Sequence, residues 1–167
     1  MIPDSPVLTI SGIRDIATAD VAIIEMEMAS LLSRPRAEIR FGGARGTDTV
    51  ALHAACCMNV QHTRLAVVVP STVDQQPREA REVIRCCATT VQEMGLSPRD
   101  PRSYHARNLR MLEGSGGLLA FWDGGPGGTA FTIQAADRMK LPIEVVRLTG
   151  RTAGGRPFPP SRFLPAA

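Results

Sequence analysis

Lysine is nearly missing from this chain: of 19 basic residues only Lys140 is a lysine. There is thus no lysine-rich stripe for binding nucleic acid by charge density. A net charge of +3 does not by itself imply such a partner either. Aromatic residues make up 4% of the chain, one Trp, one Tyr and five Phe, which leaves few platforms for stacking on bases. No apolar run approaches the roughly 20 residues that span a bilayer, so no membrane partner is expected. The N-terminal MIPDSPVLTI lacks a basic region followed by a long apolar stretch. No signal peptide is therefore expected, and the cytoplasm is the expected location. The dinucleotide fingerprint G-x-G-x-x-G is absent after the first apolar run, where SGIRDI stands instead. That argues against a conventional NAD site at this turn. The four cysteines form two adjacent pairs, Cys56–Cys57 and Cys86–Cys87, a poor match to C-x2-4-C zinc spacing. They read as small buried hydrophobes inside helices. His53, His62 and His105 show no paired nucleophile or metal spacing, so neither a metal nor a cofactor is expected.

What the chain does have is glycine in particular places. The stretch GGLLAFWDGGPGGTAFTIQAAD, residues 116–137, runs from a strand-like Leu118–Trp122 through a loop with four glycines and a proline into a helix from Thr129. Strand, glycine-rich loop and helix N-terminus together aim backbone N–H groups at an anion. Glycine lets a ligand approach the backbone without a Cβ in the way.

The 167 residues, 44% hydrophobic and 21% charged, fit one globular domain. Val7–Ser11 reads as the first strand. A helix capped by Thr18 or Asp20 runs to about Leu32, and a second strand follows at Glu38–Phe41. The loop Gly42–Asp48 leads to a helix capped by Thr47 or Asp48 that runs through Met58. Leu65–Val69 is the third strand. Pro77 opens a helix on which Val83, Cys87, Val91 and Met94 keep helical spacing until Gly95. Ser103 caps a shorter helix, Tyr104–Glu113. Leu118–Trp122 and Ile143–Leu148 complete the strands. Residues 149–167, with three glycines, four prolines and three arginines, read as a flexible or extended tail after a domain of residues 1–148. Packing of that tail on a partner subunit is the alternative, with Phe158, Phe163 and Leu164 as anchors.

Apolar strands alternating with helices predict an α/β fold: a single doubly wound, Rossmann-like domain. Its sheet is mostly parallel, five-stranded or slightly larger, with helices on both faces. In the order 3-2-1-4-5 the winding reverses between strands one and four, and ligands bind at the carboxyl ends beside such a reversal. The loops meeting there are Gly12–Asp15, Gly42–Asp48 and Asp123–Thr129. The candidate ligand-binding residues are Gly12, Arg14, Gly42, Gly43, Arg45, Asp48, Arg107, Asn108, Gly124, Gly125, Gly127, Gly128 and Thr129. Gly127, Gly128 and Thr129 are the first choice for a phosphate. Arg14, Arg45 and Arg107 are candidate supporting cations, with a salt bridge to Asp48 the alternative for Arg45. Asp48 is either a helix cap or an acceptor for a ribose hydroxyl.

The segments SGIRD (11–15), GGARGTDTVALHAA (42–55), RNLRM (107–111) and FWDGGPGGTAFTIQAA (121–136) resemble the SLOG superfamily of Rossmann-like proteins, and within it the YspA-like group. The superfamily includes the LOG phosphoribohydrolases, the DprA/Smf recombination mediators and molybdenum cofactor carrier proteins. The resemblance implies a nucleotide-derived small-molecule partner, bound by a sensor or carrier, and a homodimer or higher homo-oligomer. It also implies two alternatives. One is a LOG-like hydrolase of the N-glycosidic bond of nucleoside 5′-monophosphates, in which Arg107 matches the catalytic arginine. Thr132 stands where those enzymes carry their glutamate, leaving Asp15, Asp48 or Asp123 as substitutes. The other is DprA-like single-stranded DNA binding through ARGTD, with His53 one residue later than in that pattern.

Overall fold

The computed structural model describes residues 5–58 and 62–150. Its elements are β1 (Val7–Gly12), α1 (Thr18–Leu32), β2 (Glu38–Phe41), α2 (Thr47–Cys57), β3 (Arg64–Val69), a 3-10 turn (Val73–Gln75), α3 (Arg78–Cys87), β4 (Thr90–Glu93), α4 (Pro101–Leu112), β5 (Leu118–Trp122), α5 (Gly128–Arg138) and β6 (Ile143–Arg147). All pairings are parallel, in the order β4-β3-β2-β1-β5-β6. The five expected strands lie in the expected order, and one further strand extends the β3 edge.

That strand corrects the helix expected to run to Met94. Ala88 turns extended and ends α3. The Thr89 N–H then donates to the Leu65 carbonyl at 2.8 Å, and Thr89 Oγ1 accepts the Leu65 N–H at 3.1 Å. These two bonds start a ladder on β3 before another helical turn can form. Every residue of β4 is exposed.

The pleat of each strand sorts its side chains onto two cores, because successive residues face opposite sides. Leu119 and Phe121 of β5 join Ile24, Met28, Leu52 and Ile84 beneath α1, α2 and α3. Leu118, Ala120 and Trp122 join Leu112, Ile133 and Ala136 beneath α4 and α5. Cys56 and Cys87 pack half-buried against the first core, whereas Cys57 and Cys86 are exposed. The expected buried role therefore holds for one cysteine of each pair.

Helix starts differ from expectation by one to three residues. Asp100, not Ser103, caps α4: its Oδ1 accepts the Arg102 N–H at 2.9 Å, and Pro101 fills the first helical position. Ala17 is the N-cap of α1, and Asp20 reaches back to accept the Ala17 N–H at 2.8 Å. Gly46 precedes α2.

The buried Asp20 carboxylate also accepts the N–H groups of Thr149 (2.8 Å) and Gly150 (2.9 Å), tying the chain after β6 to the start of α1. The rest of the expected tail lies outside the described residues. Among the described residues no helix is long and apolar enough to cross a membrane.

Candidate functional site

Placing β1 beside β5 splits the loops after these strands apart and opens a crevice at their carboxyl ends. A cavity of about 470 Å³ occupies it. Its walls come from the ends of β1 and β5, the Gly42–Asp48 loop, α4 and the N-terminus of α5.

Close backbone contacts set the first two loops. Thr47 donates through both its N–H (3.1 Å) and its hydroxyl (2.9 Å) to the Ile13 carbonyl, pinning the loop after β1 to the start of α2. A Cβ on Gly12 would overlap the Thr47 side chain. Gly46, at φ +77°, packs so tightly on the Arg14 carbonyl that only glycine fits.

The third loop is shaped by its own side chains. Trp122 Nε1 donates to the Gly125 carbonyl at 2.7 Å, and Asp123 Oδ1 accepts the Gly125 N–H at 2.9 Å. Gly127, the residue before α5, has φ 141°, a conformation that side chains rarely adopt. The first N–H groups of α5 have no intrahelical acceptor, and Gly128 and Thr129 line the cavity. Asn108 fixes this helix from α4: its Nδ2 donates to the Gly128 carbonyl at 3.2 Å and to Thr132 Oγ1 at 2.8 Å. Thr132 donates onward to the Gly128 carbonyl at 2.8 Å. Where LOG enzymes carry a glutamate, this chain has a fully buried threonine inside that network.

Arg107 and Asp48 form the charged floor. Arg107 Nη1 donates to the Gly42 carbonyl and lies 3.9 Å from Asp48 Oδ2, with both side chains over nine-tenths buried. Asp48 Oδ2 also accepts the Ala44 N–H at 3.2 Å. Asp48 Oδ1 and Arg107 Nε are buried without a hydrogen-bond partner. Burial pushes the Asp48 carboxyl above its ordinary value, against the opposing pull of Arg107. Burial likewise lowers the Arg107 guanidinium, which Asp48 partly offsets. A half-satisfied buried pair is costly.

The remaining arginines divide. Arg14 lies over the Tyr104 ring, its guanidinium carbon 4.6 Å from the centroid. Arg45 is at the surface, where its Nη2 lies 2.9 Å from Asp15 Oδ1; its ion pair is with Asp15, not Asp48. Of the residues expected to bind ligand, Gly12, Arg14, Gly42, Asp48, Arg107, Asn108, Gly125, Gly127, Gly128 and Thr129 line the cavity. The other substitute carboxylates, Asp15 and Asp123, line it too. Three of the expected residues do not. Arg45 faces an adjoining cavity, Gly43 packs against Val67, Val69 and Ile84, and Gly124 supplies a turn at φ 89°.

Tyr104, His105 and Trp122 are walls that the candidate set omits. His105 stacks on Phe131 at 4.0 Å, joining α4 to α5. The spacing of Tyr104, Arg107, Asn108 and Met111 by three or four is a signal that places them on one helix face. Among the described residues no cluster of His, Cys, Asp and Glu could hold a metal ion.

No protein-family model matches the chain, and no curated protein matches it in sequence. Solved structures do match. One is DNA processing protein A from Helicobacter pylori, studied for its single-stranded DNA binding mode. It is 22% identical with a TM-score of 0.66, over 88% of this chain and 69% of that one. Another is DNA processing protein A (DprA) from Streptococcus pneumoniae, 19% identical with a TM-score of 0.68 over 90% of this chain. The present chain spans about half, 53%, of the S. pneumoniae protein. At these identities the likeness is one of fold, and with the six-stranded parallel sheet and its switch point it places this chain in the Rossmann-like fold.

Proposed function

We propose that the crevice binds the phosphate of a nucleotide, held by the backbone N–H groups of Gly127, Gly128 and Thr129 at the start of α5. A helix N-terminus carries partial positive charge and unpaired donors, the complement of a phosphate oxygen. The carrying observation is that Gly127, Gly128 and Thr129 at the start of α5 line the same cavity as the buried Arg107–Asp48 pair. Arg107 supplies a further cation beside the ligand, Asp48 an acceptor for a ribose hydroxyl, and the Tyr104 ring a flat face for the base. The protein acts in this reading as a sensor or carrier.

A strand of single-stranded DNA is the second reading, favoured by the fold shared with the H. pylori protein. Its phosphate would use the same donors. Cleavage of the glycosidic bond has less support. Thr132 replaces the LOG glutamate, Asp15 is paired with Arg45, and Asp123 Oδ1 holds the Gly125 N–H.

Gly128→Asp tests the phosphate site without a clash, since a Cβ there meets only Asn108 Nδ2 at 3.7 Å. An acidic residue in the first turn suits the helix dipole but occupies the phosphate position with like charge. Nucleoside 5′-monophosphates at about 100 Kd should stabilise the wild type by about 2.7 kcal/mol. Gly128→Asp should keep its own melting temperature and lose the ligand shift. A retained shift rules out phosphate at α5. Free base in the same samples would reveal hydrolysis, and steep salt dependence with oligonucleotides alone would favour DNA.

A further inference from the structure

A second cavity of about 370 Å³ lies directly against the first. The two share Arg14, Gly42, Ala44, Tyr104 and Arg107 as a common wall. Beyond that wall the second chamber is lined by Arg45, Gln75, Gln76, Pro70 and Pro77. Each chamber alone falls within the roughly 300–1,000 Å³ typical of small-molecule sites. The partition is cationic: Arg14 over Tyr104 on one side, the buried Arg107 beneath.

We propose that the site takes two nucleotide units joined through phosphate, one in each chamber, with the linking phosphate at the Arg14–Arg107 partition. This rests on the nucleotide reading above and extends it to the substrate class. One phosphate occupies the start of α5 and its nucleoside fills the first chamber. The linking phosphate then lies between two guanidiniums, which suit phosphate oxygens better than any other side chain. The second unit enters a chamber with flat proline faces, the exposed Gln75 amide for hydrogen bonding to a base edge, and Arg45 at its rim. A mononucleotide would leave this second set of groups unused.

The test is calorimetric titration of pT against pTpT, and of pA against pApA, on the full chain. The dinucleotides should bind at least tenfold more tightly than the mononucleotides. Gln75→Trp, at an exposed position of the 3-10 turn, fills the second chamber and should abolish that gain while leaving mononucleotide affinity at the wild-type value. Arg45→Ala should reduce the gain several-fold. Equal affinities for mono- and dinucleotide overturn the two-unit site and leave the phosphate reading standing. A gain that survives Gln75→Trp also overturns it, because the second unit then lies elsewhere. Failure of all four ligands to bind removes the nucleotide reading itself. Oligo(dT)12 separates the two sources of this chemistry: further tightening that falls with salt indicates a strand, and affinity equal to pTpT indicates a free dinucleotide.

Discussion

Replacing Arg107 by methionine keeps most of the side-chain volume and removes the cation opposite Asp48. Both groups are more than nine-tenths buried, so solvent compensates a stranded carboxyl only slightly. The Gly42 carbonyl also loses its guanidinium donor. Removing one partner of a buried pair typically costs about 3–5 kcal/mol. The 3.9 Å separation is long for a charge pair and favours the lower end. At about 2–4 °C per kcal/mol for a protein of this size, the melting temperature should fall by about 10 °C. The cost should depend on pH, and its sign follows from Asp48. Its folded-state value is raised above the ordinary 3.8 by burial, against the pull of Arg107. Its contribution to stability is therefore full below that ordinary value and declines as pH rises through the folded value. Without Arg107 the carboxyl moves higher still, so the gap between variant and wild type should widen from pH 5 to pH 8. Arg107→Met combined with Asp48→Asn should recover part of the loss and flatten the pH dependence. Urea melts of the wild type, both single variants and the double variant at the two pH values measure all of this. A cost below about 1 kcal/mol, a gap that does not change with pH, or strictly additive single effects would refute the account of the pair.

Two further outcomes are expected. Asp20→Ala strands the N–H groups of Ala17, Thr149 and Gly150 and should cost about 4–5 kcal/mol in a denaturant melt, three bonds at the low end of the about 1.5–3 kcal/mol that each hydrogen bond to a charged acceptor contributes. Burial alone would raise this carboxyl, but the three N–H bonds outweigh it and hold it below its usual value. Its contribution is thus present above pH 3.8 and lost as pH falls through the lowered value, so wild type and variant should converge in acid; parallel curves would count against the clamp. Gly42→Ala forces a Cβ into the Arg107 guanidinium, which must shift toward the cavities it lines and give up its bond to the Gly42 carbonyl. It should cost about 1–3 kcal/mol, as overpacking does, and weaken nucleotide binding together with stability; an unchanged melt would mean the two elements are not held in register.

The positions of the central strands and their loops were legible in the chain because their causes are local. Val67–Val69 and Leu118–Trp122 are apolar on both faces, which only a sheet covered on both sides requires. Gly12, Gly42 and Gly46 leave no room for a Cβ, and Gly124 and Gly127 take a positive φ that turns the loop after β5. Strand β4 was not legible, because TVQE is polar and carries no alternation. The helical spacing of Cys87, Val91 and Met94 is an accident of composition, overridden by bonds to β3.

At the site, local sequence determined the glycine loops, the start of α5 and the single face of α4 that carries Tyr104, Arg107 and Asn108. Tertiary structure alone decided the partners. Arg45 turns to Asp15 because the loop after β1 passes beside it, and Arg107 meets Asp48 because α4 crosses the end of β2. Asp20 holds residues 149 and 150 across about 130 positions of sequence, a contact that no window along the chain contains. Periodicity and turn chemistry act over a few residues. The pairing of charges, and the second chamber beside the first, exist only once the sheet order has brought distant loops to one edge.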